Sequence, residues 1–119
     1  TDTNTAFVAI ANAHAVRIVA HTGTVAGANV LRVFVNDAAS TSGAVELTAK
    51  ATSTLQSDQS YEIFVTGEEA ISGKAGATHL YAQIDVGGTS PSVPIAIEIA
   101  AFSARSVPDA PPTGWTRII

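Results

Sequence analysis

A chain of 119 residues, 46% hydrophobic and only 13% charged, has the size of one domain and can bury about two-thirds of its unfolded surface. That balance excludes a disordered tail. A net charge of −4 with six Lys and Arg in all offers no basic footprint for nucleic acid or an anionic membrane, and the absence of Cys excludes a disulfide framework and a thiolate metal site.

The apolar weight lies in Ala, Val and Ile, accompanied by much Thr and Ser, which suits pleated sheet better than helix. No apolar run reaches the roughly 18 residues of a membrane span, because Arg17, Arg32, Glu62, Asp85 and Glu98 interrupt the longest ones. A soluble protein is expected. The start at Thr1 with no Met in the chain fits either a removed signal peptide or a trimmed initiator.

Period-two alternation recurs along the chain and predicts strands. The first pair is 6–12 and 15–21, the second of these setting Val16, Ile18 and Ala20 on one face and Arg17, Val19 and His21 on the other. Beyond the turn residues Gly23 and Gly27, segment 30–36 opposes Leu31, Val33 and Val35 to Arg32, Phe34 and Asn36. Segment 44–52 alternates most regularly, and predicts Val45, Leu47, Ala49 and Ala51 toward a core with Glu46, Thr48, Lys50 and Thr52 toward water. Segments 61–66, 80–86 and 93–102 complete the set, with Pro91 and Pro94 at the entrance of the last. The connectors carry Asn, Asp, Ser and Gly. Segments 53–60 and 68–71 are each long enough for one helical turn, and neither for a stable amphipathic helix.

After Phe102 the pattern changes. Pro108, Pro111 and Pro112 favour extended backbone and cannot join the middle of a sheet, yet the chain ends on Trp115, Arg117, Ile118 and Ile119. Such an end either fills a hole in its own domain or docks on a neighbouring subunit. The expected architecture is an all-β, antiparallel β-sandwich (Ig-like or jelly-roll-like) of about seven to eight strands over 1–103, followed by an extended Pro-rich C-terminal arm over 104–119.

Chemistry-bearing patterns are sparse. His14, His21 and His79 lack a metal-ligand spacing; Asp37, Asp58, Asp85 and Asp109 stand singly rather than in a calcium loop; and Glu68-Glu69 reads as a solvated turn. No Gly-x-Ser-x-Gly elbow occurs, and Gly67, Gly73 and Gly76 around Lys74 do not have phosphate-loop spacing. The sequence therefore calls for no catalytic residue, cofactor or metal.

Large side chains do fall on faces assigned to solvent: Val19, Phe34, Phe64, Tyr81 and Phe102. Outward aromatics mark protein contacts or sugar platforms, so the candidate contact residues are Phe34, Phe64, Tyr81, Phe102, Trp115, Arg117, Ile118 and Ile119. The expected role is a non-enzymatic structural or assembly protein, a virion component such as a phage capsid decoration protein, bound to other subunits of its own or of a larger lattice. The alternative is a carbohydrate-binding, lectin-like module with Tyr81, Phe34 or Trp115 stacked on a glycan, or an extracellular pilin or adhesin domain. The matching locations are the virion, or the extracellular space and cell surface, with neither nucleic acid nor membrane as partner.

Overall fold

The computed structural model describes residues 2–11, 13–102 and 115–118. Among them the fold is all-β with one short helix, in the order β1 (Thr3–Asn4), β2 (Val8–Ala9), β3 (Ala15–Thr22), β4 (Val30–Asn36), β5 (Val45–Glu46), β6 (Ser60–Thr66), α1 (Gly67–Gly73), β7 (His79–Asp85), β8 (Ile95–Phe102) and β9 (Trp115–Ile118). One sheet has the order β1-β7-β4-β5 with β2 also paired to β7; the other has the order β8-β3-β6-β9. Every pairing is antiparallel except β6 with β9.

The alternation read from the sequence sets the core. Val16, Ile18 and Ala20 of β3 and Ile63 and Val65 of β6 meet Leu31, Val33 and Val35 of β4 and Leu80 and Ala82 of β7 in one buried cluster. Side chains as deep as Ile18, Leu31, Ile63 and Leu80, all 0% exposed, contribute about 1.5 to 3 kcal/mol each. Tyr61 is buried with its hydroxyl satisfied, accepting from the Gln56 N–H at 2.8 Å.

Two segments depart from the predicted alternation for one physical reason, an insertion of an odd number of residues. The predicted strand 6–12 is instead the broken edge β1 and β2, whose pairing with β7 shifts from Asn4 opposite Gln83 to Val8 opposite Leu80. Three residues there face two, which is a β-bulge. The Thr5 hydroxyl accepts from the Ala82 N–H at 3.0 Å and fills the gap in the ladder. Beyond the bulge Ile10 turns inward and is buried.

Segment 44–52 is the larger correction. Only Val45–Glu46 is strand, followed by a 3-10 turn over Thr48–Lys50. Leu47 N still donates to Val33 O at 2.8 Å and Thr52 N to Leu31 O at 3.0 Å, so five steps on this edge match two on β4, and three residues are extruded. Leu47 is buried and Thr48 exposed as predicted, and the pattern is lost beyond them: Ala49 is exposed, Lys50 is buried at 3% exposure, and Thr52 is buried where water was predicted. Val45, ahead of the extrusion, is exposed on the short edge strand. The Lys50 charge is held by Glu69, 2.7 Å away, the partner a buried ammonium requires.

Near the predicted turn 68–71 the chain forms α1, begun by a capping box in which Glu69 N–H donates to the Thr66 hydroxyl and Thr66 N–H to the Glu69 carboxylate. No helical turn forms over 53–60. Of the predicted arm, Trp115–Ile118 is strand β9 beside β6, with Ile118 packed against the core; Pro108, Pro111, Pro112 and Ile119 lie outside the described residues.

Candidate interaction surfaces

On the outer face of the five-stranded sheet, Phe34 of β4 stands opposite Tyr81 of β7. Their rings are parallel within 6° at a centroid distance of 5.2 Å, too close for rings side by side in one plane, so they overlap with an offset. Phe7, carried out by the bulge, meets Tyr81 at 81° and 5.3 Å. Tyr81 is thereby only 3% exposed, while Phe7 remains 36% exposed. Burial pushes the Tyr81 phenol above its ordinary value. Beside this cluster Arg32 donates to Asp85 at 2.9 Å and to Glu46 at 3.1 Å, tying three strands together. The Asp85 hydrogen bond, then that of Glu46, raises the guanidinium further and keeps it charged.

The outer face of the four-stranded sheet is organised around Glu62. This carboxylate is 1% exposed, with Arg17 on one oxygen at 2.6 Å and Arg117 on the other at 2.7 Å. The Arg117 guanidinium also lies over the Phe64 ring, 5.2 Å from its centroid. One row along, Trp115 meets His21 edge to face at 5.2 Å, and His21 Nδ1 is 2.7 Å from the Ser60 hydroxyl.

A third feature is a cleft of about 490 Å³ between the 3-10 turn and α1, lined by Glu46, Lys50, Thr66, Glu68, Glu69 and Ser72 among others. Burial alone would push the Glu69 carboxyl up; hydrogen bonds from Lys50 and Thr66 and the Lys50 charge outweigh it, and the net shift is downward. The Lys50 ammonium is paired with that carboxylate, which ties the 3-10 turn to α1.

The candidate contact residues do not converge on one site. Phe34 and Tyr81 lie on one sheet, and Phe64, Trp115 and Arg117 on the opposite outer face; Ile118 faces the core, Phe102 ends β8, and Ile119 lies outside the described residues. Tyr81 and Phe64 are each 3% exposed, so among the residues whose side chains are described the accessible Phe, Tyr and Trp surface is carried by Phe34, Phe7 and Trp115. Phe7 and Glu62 were not singled out from the sequence: a bulge leaves no mark on alternation, and Glu62 looks like any solvent-facing carboxylate. Among the described residues no three His, Asp or Glu side chains cluster so as to hold a metal. No model of a protein family, no curated protein and no solved structure matches the chain.

Proposed function

We propose that this chain is a β-sandwich module with a structural role, binding a larger protein assembly, and that the assembly is a virion, which the chain decorates from outside. The central pairs of the sandwich are β3 with β6 and β4 with β7. The observation that carries the reading is the Phe7, Tyr81 and Phe34 cluster on an outer face, where apolar ring surface stays accessible at Phe7 and Phe34 beside an Arg32 paired with both Glu46 and Asp85. An apolar patch whose neighbouring cation is already paired suits contact with a protein lattice, where many weak copies add up. Phe34 and Tyr81 stack on each other and Tyr81 is almost wholly buried, which supports packing over the sugar stacking of the lectin-like alternative at Tyr81.

The test is co-banding with purified virus particles in a density gradient. The chain should band with the particles at a fixed ratio, and a Phe7→Ser, Phe34→Ala variant, less stable through the rings lost from Tyr81 but shown to be folded by its unfolding curve, should lose most of that occupancy. A chain that never bands with particles, or a variant that bands as well as the parent, overturns the reading.

A further inference from the structure

A sheet edge is a row of unpaired N–H and C=O groups that recruits another strand unless it is short, bulged or charged. Among the described residues, three of the four sheet edges are blunted in such ways. The β1/β2 edge is two dipeptides around a bulge, β5 is two residues long, and β9 is four. β8 differs: it runs eight residues in unbroken register with β3, with Glu98 as its one charge and no Pro. Among the described residues no strand pairs with its outer side. β2 passes near it but is bonded to β7.

Which groups face outward follows from the ladder. Gly23 N donates to Pro94 O at 2.8 Å, which makes these two a hydrogen-bonded pair in the β3–β8 register. By the alternation of antiparallel pairing, Ala96, Glu98 and Ala100 direct their N–H and C=O groups at β3. Ile95, Ile97, Ile99 and Ala101 direct theirs away from the sheet, while the three Ile side chains pack, partly buried, on the core. The edge therefore offers a continuous set of donors and acceptors over half-covered isoleucines.

We infer that β8 is the interface of a symmetric dimer, in which a second copy of this chain adds its own β8 antiparallel, centred on Ile97. A two-fold axis normal to the sheet keeps both core faces on the same side, so only residues of like parity stand opposite one another. A centre at Glu98 would set two like charges against each other, which is unfavourable. A centre at Ile99 moves the contact toward Phe102, the partner of Ala15, and β2 leads into that end of the molecule through Ile10. Centred on Ile97, each Ile95 meets Ile99 of the second copy, Ile97 meets its own counterpart, and each Glu98 faces Ala96 of the second copy. Two four-stranded sheets become one continuous sheet, and the isoleucine rows of both cores join.

This inference does not depend on the virion reading. The experiment is sedimentation velocity and light scattering of the intact chain across a wide concentration range, with three variants. Ala96 is exposed on the outer face, so charges are accommodated there without disturbing the fold. Ala96→Lys places an ammonium against each Glu98 and should tighten the dimer about five- to tenfold, while Ala96→Glu should weaken it by about the same factor. Ile97→Pro removes the outward N–H at the axis without taking a bond from β3 and should give a monomer; an unfolding curve checks that it is folded. A parent chain that is monomeric throughout, or Ala96 variants that do not move in opposite directions, overturns the inference. A monomer that bands with particles defeats this inference alone, and a dimer that does not band defeats only the virion reading.

Discussion

Arg117 Nε lies 2.7 Å from Glu62 Oε1, joining residues 55 apart in sequence across the parallel pairing of β9 with β6. The carboxylate has almost no contact with water, and its second oxygen is taken by Arg17. An ion pair so placed fixes the register of β9, because a one-residue slip would carry Arg117 to the core face and leave Glu62 with half its compensation.

Arg117→Ala should therefore cost about 2 to 3 kcal/mol, less than the full penalty for orphaning a buried charge because Arg17 remains. Urea unfolding measures the loss. Arg117→Lys should recover part of it, since the ammonium keeps the charge and gives up the planar fork that also covers Phe64. A cost below about 0.5 kcal/mol would place the pair among ordinary surface contacts.

A chain ending at Arg105 lacks β9 altogether. It loses Ile118 from the core and the ladder on β6, and should be about 3 to 5 kcal/mol less stable while remaining folded. If instead it unfolds at the same denaturant concentration as the parent, β9 contributes nothing to the isolated domain.

Tyr81 sets an alkaline limit. Burial raises its phenol above the ordinary value of 10.0, so the native state holds the proton that the unfolded chain gives up. The stabilisation is complete below the unfolded value and is lost as pH rises through the folded one. Absorbance titration of the two tyrosines, compared with Tyr81→Phe, should show one phenol ionising late. Tyr81→Phe should also lose less stability than the parent as pH rises above about 10.

The capping box of α1 sets an acid response. Thr66→Ala should cost about 1 kcal/mol through loss of the cap, read by thermal unfolding. The Glu69 carboxyl titrates below its usual range through Lys50 and Thr66 despite its burial. Its contribution is therefore present above the ordinary Glu value and is lost as pH falls through the folded one. Glu69→Gln should be less stable than the parent at neutral pH and should show a shallower loss on acidification.

How much of this was legible beforehand depends on the segment. Residues 30–36 alternate without interruption and are β4 to the residue, and the core faces of β3, β6 and β7 lie where alternation predicts them. The same reading fails beyond Leu47, because three residues loop out between Leu47 and Thr52 and turn Lys50 and Thr52 inward, and it misses Phe7 because one residue bulges before Val8. Alternation counts residues along one strand; it carries no record of how many residues on the neighbouring strand they oppose.

The candidate surfaces follow the same division. That Phe34, Phe64 and Tyr81 point away from the core was evident from parity alone. Which of them stays accessible was decided by neighbours distant in the chain, since Phe7 and Phe34 close over Tyr81 and Arg117 covers Phe64. The sequence by itself determined the all-β class and the inward face of each long strand, because those depend on a local period of two. Only the tertiary structure decided the partner of Glu62, the shelter of Lys50, the parallel seat of β9 and the open edge of β8, because each arises where strands far apart in sequence are brought side by side.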